Sequence, residues 1–181
     1  MFEITIEPGL SLELLHIRHA PALHNLSQSN RDYLKEWLPW LIDGYSIEDT
    51  RQFITMTMKQ YADNLGFQSS IIYKGELAGV TGYHAINHTN HSGSIGYWLG
   101  QAYSGTGIMT KSVKKVIEIG FNDYELEKVE IRCATGNIKS AAIPERLGFK
   151  KDGIIRQNEW LYDHYVDHVI YTMLRSEFRS G

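Results

Sequence analysis

Ser94-Ile-Gly-Tyr-Trp-Leu99, Gly100-Gln-Ala-Tyr-Ser104 and Gly105-Thr-Gly107-Ile-Met-Thr110 run on from one another. They read as a strand, a short loop and a glycine-rich turn that opens a helix. Met109, Val113, Val116, Ile117 and Gly120 share one face of that helix, expected over Lys111–Asn122. A second apolar strand, Lys128–Cys133, follows, so the unit is strand–helix–strand and its strands should run parallel. Gly105 and Gly107 let backbone N–H groups approach a ligand with no side chain in the way. The helix N-terminus adds a partial positive charge, which makes the turn a seat for phosphate. The plainer reading is a tight turn. It lacks the Gly-Lys-Ser/Thr ending of a P-loop and the third glycine of a dinucleotide fingerprint, and no second strand–helix–strand half is present.

Outward from this unit, Leu10–Ile17 alternates as a first strand. Pro21–Trp40 carries a helical pattern broken at Pro39. Ser46-Ile-Glu-Asp49 is a capping box, with Asp for Glu, opening a helix over Glu48–Asn64. Gln68–Tyr73 and Leu77–His84 are strands joined by a turn at Lys74-Gly75-Glu76, and Asn87–Gly93 closes a second hairpin onto Ser94–Leu99. Lys150–Trp160 and Val166–Leu174 form a last pair. Residues 1–181 thus read as one α/β domain on a mostly antiparallel sheet of about seven strands.

With 181 residues and 43% hydrophobic content, the chain suits a single sizeable core. A net charge of −3 gives no electrostatic footprint for direct contact with nucleic acid. Cys133, the single cysteine, reads as a buried structural thiol. No basic leader or long apolar run suggests secretion or a membrane span, so a cytoplasmic protein is expected. The histidines at 84, 88 and 91, or at 164 and 168, lie on strands and loops without helical spacing, and no metal site is expected from them.

Asn137-Ile-Lys-Ser140 leading into Pro144-Glu-Arg-Leu-Gly148-Phe149, taken with Ser104-Gly-Thr-Gly-Ile-Met109, resembles the GNAT N-acetyltransferase superfamily. The nearest branch is that of the RimJ/RimL-like enzymes, which acetylate ribosomal-protein N-termini. Similar segments span nearly the whole chain. The resemblance implies an α+β fold with a central parallel β-α-β unit and flanking helices, and acetyl-CoA as cosubstrate between two splayed parallel strands. It implies that main-chain groups of Tyr97, Trp98 and Leu99 meet the pantetheine arm and one of their N–H groups the oxyanion. It places the pyrophosphate on Ser104, Gly105, Thr106, Gly107, Ile108, Met109 and Thr110. Asn137 and Ser140 complete the cofactor set. From spacing alone Asn137 is an N-cap of the helix beginning at Ile138, and both roles can coexist.

Several positions depart from the family pattern. Pro144 stands where many members carry a tyrosine that protonates the departing thiolate, which leaves Ser140 as the replacement. Proline there also forfeits a helical hydrogen bond and clashes with the carbonyl of Ser140. Ser104 replaces Arg or Gln, so a side-chain contact from it is in doubt. The glutamate of some RimL-like enzymes corresponds to Gln68, and His84 is the candidate base, against the plainer reading of a hydrogen-bonded strand-end histidine. Trp37, Trp40, Tyr45 and Phe53, with Gln68 and His84, are expected at the acceptor cleft; core packing is the alternative for each aromatic. Freeing an α-amine of pKa about 7.8 at pH 7 costs about 1 kcal/mol, against about 4.6 kcal/mol for lysine. A base-poor site therefore suits a protein N-terminus, attacking directly in a ternary complex. Alternatives are a small amine (aminoglycoside, polyamine, amino acid) or a non-catalytic acyl-CoA-binding module. A homodimer is left open.

Overall fold

The computed structural model describes residues 3–179. β1 (Glu3–Glu7) and β2 (Leu10–Leu14) form a hairpin, followed by α1 (Ala20–Ser29), α2 (Arg31–Lys35) and α3 (Ile47–Ala62). β3 (Phe67–Tyr73), β4 (Glu76–Asn87) and β5 (Ser92–Leu99) make an antiparallel meander. Then α4 (Ile108–Asn122) crosses over to β6 (Lys128–Ala134), and α5 (Ile138–Leu147) leads to β7 (Lys150–Leu161) and β8 (His164–Leu174). The eight strands form one sheet in the order β1-β2-β3-β4-β5-β6-β8-β7, with β5–β6 its parallel pair.

The eighth strand relative to the sequence-based count is β1. Its Ile4 and Ile6 pack against the core, and Gly9, at φ +80°, turns the chain back into β2. β2 stops at Leu14 instead of Ile17, because a short 3-10 turn begins there, capped by the His16 side chain. The Pro21–Trp40 pattern resolves into α1 and α2, and residues 36–45 carry no helix. Local chemistry explains the boundaries that were legible. Ser46 and Asp49 exchange capping bonds, Ser46 N–H to Asp49 Oδ2 at 2.8 Å and Asp49 N–H to Ser46 Oγ at 3.3 Å. Lys74 and Gly75, at φ +52° and +86°, form the left-handed pair that a tight hairpin requires.

One face of the sheet is covered by α4 and α5, where Val113, Val116 and Ile117 bury fully against Ile71, Ile95 and Ile131. The other face is covered in part by α1 and α3, where Leu23 and Ile54 meet Val80 and Trp98. The pairing of β5 with β6 positions the site. It holds only from Ser92–Ile95 to Lys128–Ile131. Beyond that fork Gly96–Leu99 stays with β4, and Arg132–Ala134 stays with β8. Two strands thus diverge in the middle of the sheet, leaving backbone polar groups facing a gap, where an extended ligand can satisfy them.

Candidate active site

The gap opens into a cavity of about 650 Å3 whose lining includes Tyr97, Trp98, Asn137, Ser140, Gln68, His84, Trp37, Trp40, Tyr45 and Phe53. The aromatics at 37, 40, 45 and 53 are half-buried there. Leu99 and the turn from Ser104 to Thr110 lie outside this lining. Leu99 packs against the main core, and the turn sits beyond the end of β5.

None of the N–H groups from Gly105 to Thr110 finds an acceptor among the described residues. The first helical bond comes from Lys111 N–H to the Gly107 carbonyl at 3.2 Å. Gly105 and Gly107 take φ of +80° and +82°, with open space where a Cβ would stand. This crown of free amides at a helix start fits a diphosphate. Ser104 Oγ is 3.0 Å from the Tyr33 hydroxyl.

Across the gap, α5 begins with Asn137 Oδ1 accepting from Ser140 N–H at 3.1 Å, the predicted cap. Pro144 lies inside this helix, so the Ser140 carbonyl has no helical donor. The Tyr97 hydroxyl supplies one from β5, donating to that carbonyl at 2.9 Å. Ser140 Oγ lies 3.4 Å from the same hydroxyl and 3.3 Å from Cys133 Sγ. Burial holds the Tyr97 phenol well above its ordinary pKa, and burial likewise raises the Cys133 thiol, which stays protonated. A protonated thiol is a poor nucleophile.

His84 is not at a strand end. It is the bulged residue of β4, between the pairs Tyr83–Ile95 and Ala85–Ser94, and the bulge turns its ring onto the cavity floor. The ring lies over Gly96, at the fork, where an added Cβ would fall 1.7 Å from His84 Nε2. The ring opens to the cavity, yet surrounding protein lowers its pKa by desolvation, with the Glu159 carboxylate opposing. It is therefore neutral at pH 7 and able to accept a proton. Gly96→Ala is expected to displace the ring and lower kcat by about 10-fold or more while acetyl-CoA affinity is kept. Steady-state kinetics with calorimetry check this, and unchanged turnover would remove His84 from the floor's chemistry.

Glu159, Asn158 and His168 were not singled out from the sequence as site residues. An irregularity between Ile155 and Glu159 of β7 holds Asn158 and Glu159, which line the cavity wall together with His168 of β8. His168 Nε2 is 3.4 Å from Glu159 Oε2, and its Nδ1 is 2.9 Å from Asn158 Nδ2. The last contact makes Nδ1 the acceptor and leaves Nε2 to donate to Glu159. Gln68, which carries no charge, is buried beside Gly82. Among the described residues no three His, Cys, Asp or Glu side chains converge as a metal site. No helix among them is long and apolar enough to cross a membrane.

A family model described as "Acetyltransferase (GNAT) domain" matches residues 10–150. The chain is 32% identical, over 99% of both lengths, to the "Putative ribosomal N-acetyltransferase YdaF" of Bacillus subtilis. It is 28% identical to the "Ribosomal-protein-serine acetyltransferase" of Escherichia coli, covering 94% of this chain and 96% of that protein. Among solved structures it superimposes, with a TM-score of 0.91 and 28% identity, on RimL, a ribosomal L7/L12 α-N-protein acetyltransferase, in complex with coenzyme A. That match covers 95% of this chain and 97% of the other.

Proposed function

This chain belongs to the GNAT acetyltransferase family and is an acyltransferase; on that footing we propose that its acceptor is the N-terminal α-amine of a protein, in the first place a ribosomal protein. The continuous sheet supports reading residues 1–181 as one N-acetyltransferase domain. The cosubstrate is acetyl-CoA, which would lie in the β5–β6 gap with its diphosphate on the free amides of Gly105–Thr110. Tyr97–Leu99 and Asn137 would flank the pantetheine arm. Bound there, it supplies the activated acetyl group.

The observation that carries the acceptor reading is the poverty of the cavity in carboxylates. Glu159 and Asp49 are its carboxylates; Glu159 is half-buried, whereas Asp49 is exposed to water and caps α3 through Ser46 at 2.8 Å. One carboxylate shielded from water suits one ammonium, since the exposed one is screened by solvent. An aminoglycoside or polyamine brings several cations, each needing a partner once desolvated. Glu159 meets the incoming ammonium, and the neutral ring of His84 takes its proton as the amine attacks. Ser140, 3.4 Å from the Tyr97 hydroxyl, is the hydroxyl at hand for the departing sulfur. A thiol of pKa about 8.5 leaves with little help. The raised pKa of Cys133 favours direct attack over an acyl-cysteine.

The test is incubation with acetyl-CoA and a panel of N-terminal peptides, scored by thiol release and by mass shift at the first residue. Acetylation at the α-amine and not at an internal lysine is expected. Polyamines or aminoglycosides acetylated in preference would overturn the reading. Stabilisation by CoA without turnover on any amine would favour a binding module.

A further inference from the structure

Residues 36–45 have no helix or strand, yet they are held from three sides. Arg31 donates to the Leu41 carbonyl at 3.1 Å and the Ile42 carbonyl at 2.7 Å. The Tyr162 hydroxyl donates to the Leu38 carbonyl at 2.6 Å. The Trp37 ring reaches across to Gly136, where an added Cβ would stand 3.1 Å from it. This segment roofs the cavity with a fixed aromatic surface. Trp40 is its centre, 5.3 Å from Tyr45 and 6.0 Å from Trp98 between ring centroids. Phe53 and Met56 extend the surface from α3. Tyr45 is itself held, accepting from Thr50 Oγ1 at 3.2 Å.

Most of the aromatic wall comes from elements other than those that carry the cavity's histidines and Glu159. His84, Ser94, Glu159 and His168 come from the sheet, while the aromatic wall is supplied mainly by the roof and α3. A ligand with its amine at Glu159 and His84 therefore sends its nearest side chain toward Trp40. A small first residue would leave that wall against water, and a cationic one would lose hydration against the rings while the exposed Asp49 carboxylate is screened by solvent. Resting on the N-terminal acceptor reading, we infer that the enzyme selects acceptors whose first residue carries a large apolar side chain, such as methionine, leucine or phenylalanine. Burying such a side chain is worth a factor of about 10 to 100 over alanine or serine.

The test uses hexapeptides identical except at the first residue, with saturating acetyl-CoA. The methionine, leucine and phenylalanine peptides are expected to exceed the alanine, serine and lysine peptides in kcat/KM by about 10-fold or more. Trp40→Ala should narrow that ratio. Equal or better rates for serine and alanine peptides would overturn the inference and leave the N-terminal reading standing. So would a ratio that Trp40→Ala does not change. All peptides inert while free polyamines or aminoglycosides are acetylated would overturn both. The ranking on the parent enzyme decides even where Trp40→Ala does not fold.

Discussion

Glu159→Gln is expected to lower kcat/KM for an N-terminal peptide by about 10²- to 10³-fold at pH 7, with acetyl-CoA affinity unchanged. The amide keeps the shape but removes the charge that meets the ammonium and holds the ring of His84 when it becomes cationic. The loss should fall mainly at low and neutral pH. An α-amine with a pKa of about 7.8 is mostly uncharged at pH 9, so the deficit should shrink as pH rises through that value. The low-pH limb has a second origin. His84 must be neutral to act, and desolvation lowers its pKa below the ordinary 6.5. In the parent enzyme, the His84 limb should therefore leave activity in place at pH 7 and at pH 6.5 and remove it only at lower pH, as the ring gains its proton. A variant within threefold of the parent at pH 7 would release Glu159 from the mechanism.

Tyr83→Ala is expected to cost about 3–5 kcal/mol, read as a fall in Tm of roughly 10 °C or more. Tyr83 is fully buried and stacks edge-on to Phe67 at 5.7 Å. Two glycines make room for it. A Cβ at Gly120 would stand 1.9 Å from its hydroxyl, and one at Gly93 would stand 2.6 Å from its ring. The hydroxyl itself has no hydrogen-bond partner among the described residues. Tyr83→Phe should therefore match the parent in stability or exceed it by about 1 kcal/mol. Thermal melts of both variants check the pair, and a phenylalanine variant as unstable as the alanine one would show that the hydroxyl does find a partner.

What was legible in the sequence was local. The Ser46–Asp49 box, the Lys74–Gly75 turn, the Asn137 cap and the amide crown at Gly105–Thr110 each depend on residues within a few positions of one another. The parallel β5–β6 pair was legible as well, since crossover handedness and chain economy restrict how a strand–helix–strand unit closes. Two kinds of feature were not. β1 offers only Ile4 and Ile6 as an alternating signal, too brief to separate from an irregular terminus. Glu159 owes its place to the inverted order β6-β8-β7 and to an irregularity on an edge strand. Both follow from long-range pairing, which no residue near Glu159 announces. The same applies to His84: its position on β4 was readable, but the extra residue that aims it was not.

Pro144 silences one backbone donor in α5, and the Tyr97 hydroxyl on the opposite wall answers for it. Separated widely in sequence, the two residues meet at one carbonyl. A residue with an N–H at 144 would reclaim the Ser140 carbonyl and leave the phenol to seek a new acceptor inside the channel. Divergence along this lineage should therefore exchange the pair together, and an engineer grafting a tyrosine at 144 would have to redesign position 97 in the same step.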